Sequence, residues 1–88
     1  MRIVFKLFAT LSDHLPERLG DHSRVGNALP LDVPEGTTVQ AVIDRFDLPR
    51  PLVRLVLVNG AYVPPEERST RALAADDELA VWPPVAGG

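Results

Sequence analysis

Asp76-Asp77-Glu78-Leu79-Ala80-Val81-Trp82-Pro83-Pro84-Val85-Ala86-Gly87-Gly88 closes the sequence and decides how the rest of it is read. Glu78 to Trp82 alternates, with Leu79 and Val81 predicted inward and Glu78, Ala80 and Trp82 outward, the period-two pattern of a strand buried on one face. The two prolines then fix φ and remove two backbone donors, so an extended, polyproline-like path is expected beyond the strand. Six residues past Trp82 span up to about 20 Å at about 3.3 Å per residue. Gly87 and Gly88 carry no Cβ, so such a tail can thread a narrow cleft and leaves the Gly88 carboxylate sterically open. The expectation is a single domain over 1–82 and an extended, flexible tail over 83–88 whose terminal carboxylate is the working group. Small residues are common at frayed chain ends, so the Gly-Gly gains its weight from the pattern that precedes it.

Eighty-eight residues suit one small domain, which buries only about 60–65% of its unfolded surface and needs a well-patterned core. With 45% hydrophobic and 24% charged residues the chain is expected to fold, despite nine prolines. A formal charge of -3 argues against nucleic acid as a partner. No apolar run is long enough to span a bilayer, and Lys6 interrupts the apolar N-terminal stretch, so neither a membrane role nor a signal peptide is expected and the default compartment is cytoplasmic. The absence of cysteine excludes disulfides, thiolate metal sites and a cysteine nucleophile in this sequence.

Working back towards the N-terminus, Leu52 to Val58 runs into Asn59-Gly60, the dipeptide of tight hairpins because both central positions take positive φ. With Arg54 outward, Val56 is expected on the outer face too. Ala61-Tyr62-Val63 is the return strand, and Ser69 to Ala75 is expected to hold one helical turn around Leu73. Thr37-Thr38-Val39-Gln40 fits a capping box, predicting the main helix from about Thr38, with Val39, Val42, Ile43 and Phe46 on one apolar face and Leu48-Pro49-Arg50-Pro51 ending it. Arg2 to Phe8 alternates as a first strand, with Ile3, Phe5 and Leu7 inward and Phe8 left as an apolar residue on the outer face. Leu11, Leu15 and Leu19 predict a short helix over Ala9 to Leu19 that Pro16 interrupts, Gly20 to Asn27 reads as a solvent loop, and Ala28 to Val33 as a second strand. The sum is an α+β layer pair, a mixed sheet with one main helix across one face.

Leu7-Phe8-Ala9-Thr10-Leu11, Pro34-Glu35-Gly36-Thr37-Thr38-Val39, Val58-Asn59-Gly60 and the closing Pro-Pro-Val-x-Gly-Gly, in this order, resemble the MoaD/ThiS family of ubiquitin-like sulfur-carrier proteins over nearly the whole chain. The Gly20 to Asn27 loop is the departure, being longer than in the shortest members. The resemblance implies a β-grasp fold and chemistry done to the terminus by a partner: a ubiquitin-activating-type adenylyltransferase uses ATP to adenylate Gly88, sulfur displaces AMP, and the thiocarboxylate donates sulfur. It also makes the first, third and last strands neighbours, which gathers Phe8, Val56 and Trp82 into an outer apolar patch expected to bind partners, with Pro83, Pro84, Val85 and Ala86 delivering Gly87 and Gly88 to the partner's active site. The acceptor closest to the resemblance is the large subunit of a molybdopterin-type synthase. Thiazole synthase, a tungsten cofactor and tRNA thiolation are served by the same chemistry.

This protein is therefore expected to be a non-enzymatic carrier that binds no cofactor or metal of its own, with ATP held by the partner because no Gly-rich phosphate loop occurs here. A ubiquitin-like modifier of lysines and a plain binding module with an inert tail are the other classes. His14 and His22 straddle a break and lack a third ligand, so no metal is assigned to them. Asp76, Asp77 and Glu78 are expected to form a solvated turn, and Arg45, Arg50, Arg54, Arg68 and Arg71 to be solvating charges.

Overall fold

The computed structural model describes residues 1–84. β1 (Arg2–Leu7) buries Ile3, Phe5 and Leu7 as its alternation predicts. β4 (Ala28–Asp32) pairs with it antiparallel along one edge, after a hairpin of β2 (Arg18–Leu19) and β3 (His22–Ser23). β7 (Glu78–Trp82) pairs with the other edge of β1 in parallel, Phe5 opposite Leu79 and Leu7 opposite Val81. β5 (Leu55–Val58) and β6 (Ala61–Tyr62) complete a mixed five-stranded sheet in the order β4-β1-β7-β5-β6. α1 (Val39–Arg45) lays Val39, Val42 and Ile43 into the same core, and Phe46 just beyond it meets the Phe5 ring at 5.0 Å. This is the expected β-grasp arrangement, one helix grasped by a mixed sheet.

Local chemistry sets the element ends. Thr38 caps α1, its hydroxyl accepting from the Ala41 amide at 3.2 Å. The reciprocal capping box does not form: with Thr38 rather than Thr37 as the cap, Gln40 lies one residue short of the third helical position, and its amide donates to Asp44 instead. Asn59 and Gly60 take φ of 51° and 83°, the paired positive values that a tight hairpin requires.

Three assignments of local structure are corrected. The α-helix expected over Ala9 to Leu19 is a 3-10 helix of Ala9–His14; Leu15 is already extended ahead of Pro16, and Leu19 lies in β2, although Leu11 and Leu15 are buried as the spacing predicts. The Gly20 to Asn27 stretch is an ordered hairpin arm rather than a solvent loop. Arg24 donates to the carbonyls of Ser12 and Leu15 at 3.0 and 2.9 Å, and His22 Nε2 lies 2.8 Å from Asp32 Oδ2 on β4. Leu73 is buried but extended, its amide bonded to Thr37 O and its neighbour Ala72 bridged to Thr38; the helical turn falls earlier, at Pro65–Glu67, where a proline at the first position favours it.

Asp77 is not part of a solvated turn. It is buried, its carboxylate accepts from the Ala74 amide and from Asn59 Nδ2, both at 2.8 Å, and its carbonyl accepts from Val4 N. Asn59 Oδ1 in turn accepts from the Glu78 amide, so one polar cluster fixes the β5–β6 turn against the start of β7. Asp77→Ala strands these donors and is expected to cost about 2–4 kcal/mol in urea denaturation. For Asp32, the His22 hydrogen bond holds the carboxyl below the usual range. A group lowered in the folded state stabilises above its unfolded pKa of about 3.9 and loses that contribution as pH falls through the folded value. The stability advantage of the wild type over Asp32→Asn should therefore be full at pH 7 and shrink towards zero in acid, read as the urea midpoint against pH.

Candidate functional site

The face of the sheet away from α1 is laid out in register. One row runs Lys6, Ala80, Leu57, Tyr62 across β1, β7, β5 and β6. The next is formed by Trp82 and Leu55, with Phe8 following β1 and stacked on Trp82 at 3.7 Å between ring centroids and 8° between planes. Trp82 and Leu55 are each 39% exposed and Tyr62 is 55% exposed, while Phe8 and Leu57 are half-buried. These are large apolar side chains grouped on one sheet face, rimmed by the Lys6–Glu78 ion pair at 2.9 Å.

Phe8 and Trp82 thus lie outward as the alternation predicts and meet as the family's strand order implies, and Val56 does not join them. Val56 is fully buried and pairs with Val81 on the core side. The expected phase fails because Arg50–Leu52 folds into a 3-10 helix after Pro49, β5 begins only at Leu55, and Arg54 and Leu55 are both exposed, which breaks the alternation between them. Leu55 and Leu57 are the outer-face residues that sequence reasoning missed; Leu52 to Val58 has apolar residues at both parities, and Arg54, which set the phase, precedes the strand. Ala80 faces outward but is nearly covered, lying between Lys6 and Leu57.

The patch ends where the chain leaves the sheet. Trp82 O accepts from Arg54 N, Pro83 is half-buried and Pro84 exposed; Val85, Ala86, Gly87 and Gly88 lie outside the described residues. Among the described residues no group of three His, Asp or Glu side chains is placed to hold a metal, and His22 is engaged by Asp32. Nor is any described helix long and apolar enough to cross a membrane. Arg45, Arg50, Arg54 and Arg71 are exposed, Arg45 lying 5.8 Å from the Phe46 ring centre, but Arg68 is buried, folded back under the Pro65–Glu67 turn with Nε donating to Val63 O.

The sequence profile of the ThiS family matches residues 20–88. The chain belongs to the ThiS family. Such proteins are small ubiquitin-like carriers, generally non-catalytic, that work with E1-like activating enzymes. The chain is similar over its whole length to all of SAMP1 from Haloferax volcanii, with 26% identity and a TM-score of 0.68. A second structure, of the H. volcanii small archaeal modifier protein 1, aligns with 96% of this chain and 98% of its own at 25% identity and a TM-score of 0.65. No curated protein matches the chain.

The two sides of β5 give a direct test of the face assignment. Val56→Ala should cost about 2 kcal/mol by emptying packed core, whereas Leu55→Ala should stay within about 0.5 kcal/mol, both read from urea denaturation.

Proposed function

We propose that this ThiS-family chain carries sulfur as a thiocarboxylate on Gly88 and donates it in molybdopterin assembly. The observation that carries the reading is the aromatic stack of Phe8 on Trp82, partly exposed at the point where the sheet hands over to Pro83-Pro84, with the Gly-Gly ending beyond in the sequence. A partner that covers this face holds the base of the tail, and the six residues beyond Trp82 reach up to about 20 Å into its active site.

The chemistry asks little of the chain itself. An α-carboxylate has a pKa of roughly 3.5, so at neutral pH Gly88 is an anion that attacks the α-phosphate of ATP without a base from this protein. Pyrophosphate leaves, a mixed anhydride forms, and a sulfur nucleophile supplied by the partner displaces AMP. Side chains of the carrier contribute binding: Phe8, Leu55, Leu57, Tyr62 and Trp82 dock both the activating enzyme and the sulfur-accepting synthase, in place of the patch that included Val56. Pro83 and Pro84 keep the base of the tail extended, and Val85, Ala86 and Gly87 fit the cleft. Sharing one face for both partners makes their binding mutually exclusive, so the charged carrier must leave the first before meeting the second.

A second reading follows from the similarity to a small archaeal modifier protein, namely that the activated Gly88 is transferred to lysines of other proteins. Both readings use the same adenylate and diverge at the nucleophile. Thiamin thiazole, tungsten-cofactor and tRNA thiolation routes share the carrier chemistry and differ only in the acceptor.

Intact mass after co-expression with an E1-like enzyme separates the two. Replacement of one oxygen by sulfur at the terminus is the expected result; conjugates of higher mass that contain this chain would favour the modifier. Deleting Gly88 should abolish the mass change while the urea midpoint stays within error. Leu57→Asp should also abolish it by blocking docking, and retained thiocarboxylation in that variant would sink the docking assignment.

A further inference from the structure

Arg68 is 7% exposed, yet no carboxylate of the described residues pairs with it; the ion pairs among them are Lys6–Glu78 and His22–Asp32. Its Nε donates to Val63 O at 3.2 Å, while its Nη2 is buried and has no hydrogen-bond partner among the described residues. Withdrawing a guanidinium from water with a single carbonyl acceptor is costly, and such donors are ordinarily satisfied by an anion.

Arg68 forms part of the wall of two adjoining depressions that share Val53, Pro65 and Arg68 itself. One, of about 820 Å³, runs along α1 past Gln40, Ile43 and Leu48, with Arg50 on its border. The other, of about 440 Å³, turns around the start of β5 past Arg54 to Leu55 and Tyr62. Together they make a groove that begins at the outer apolar patch and ends on the helix side, with Arg68 at the junction. Asp44 and Asp47 also line the helix end, where Asp44 is already engaged by Gln40. Three arginines therefore face two aspartates; none of the three is ion-paired among the described residues, and Arg68, at the middle, is the buried one.

We infer that this groove binds an extended peptide segment of the partner that docks on the outer face, with an acidic side chain of that segment meeting Arg68. The inference rests on the docking reading for the partner's position. Its chemistry comes from the groove: apolar walls at Ile43, Leu48 and Val53 suit aliphatic neighbours, and a planar guanidinium suits a carboxylate, which it can grip with two parallel donors. A free inorganic anion would leave the contacts at Ile43, Leu48 and Val53 unused.

An acetylated, amidated Ser-Leu-Glu-Leu-Ser peptide and its Gln counterpart, titrated into the full-length ¹⁵N-labelled protein without any activating enzyme, test this whatever becomes of the sulfur-carrier reading. The Glu peptide should move the Arg68 Nε–H signal and the amides of Gln40 and Val53 saturably. The Gln peptide, and the Glu peptide on Arg68→Lys, should bind at least about tenfold more weakly, because a hydrogen bond to a charged group is lost. Equal binding of the two peptides, no saturable shift, or equally effective displacement by inorganic phosphate would overturn the assignment. The Glu–Gln comparison needs no variant, so it stands even if Arg68→Lys fails to fold.

Discussion

The parallel pairing of β1 with β7 is the contact on which the other elements depend. It places Phe5 beside Leu79 and Leu7 beside Val81, and Val4 N→Asp77 O and Phe8 N→Val81 O fasten it at either end. α1 packs over this central pair, β4 and β5 are added to its outer sides, and the Phe8–Trp82 stack stands at its end. The position from which the tail departs is thus set by the middle of the sheet and not by a loose edge. A partner that reads the stack is reading the best-supported part of the domain.

The polar interactions divide into those that hold the fold and those that only decorate it. Asp77 accepts from Asn59 Nδ2 and the Ala74 amide, and Asn59 Oδ1 accepts from the Glu78 amide, so the last turn is fixed from inside. Lys6–Glu78 is half-exposed and worth little as a stabiliser, which leaves it free to serve as a rim for the apolar patch. His22–Asp32 ties the hairpin arm to β4, the outermost strand on that side of the sheet, and with Arg24 it turns a stretch without hydrophobic periodicity into defined structure.

Much of the architecture was legible because the strands bury one face and the helix one stripe: Ile3, Phe5, Leu7, Leu79 and Val81 are inward as their alternation requires, and Val39, Val42 and Ile43 are inward at helical spacing. The misplaced face of β5 has a plain cause, that periodicity carries no phase where both parities are apolar. Leu52 to Val58 offered a single polar marker, Arg54, and its position before a break in the alternation put Val56 on the wrong face. Long-range polar contacts left no local trace either. Nothing near His22 announces Asp32, nothing near Asp77 announces Asn59, and Arg68 looks like any surface arginine until the Pro65–Glu67 turn folds it under. Of the site, the Phe8–Trp82 meeting was readable and the Leu55, Leu57 and Tyr62 extension was not.

The central strand of this sheet is also the last element among the described residues, and that order bears on biosynthesis. Every earlier strand leaves the ribosome while the slot beside β1 is still empty, so the nascent chain exposes the edge of its own core until Glu78–Trp82 emerges. Closing that slot joins residues more than seventy positions apart, a slow and non-local step. A chain interrupted anywhere before β7 lacks the middle of its sheet and is a substrate for proteolysis rather than a competent carrier. Folding itself thereby inspects synthesis as far as Trp82, and molecules that pass have made the strand that leads directly into Pro83-Pro84.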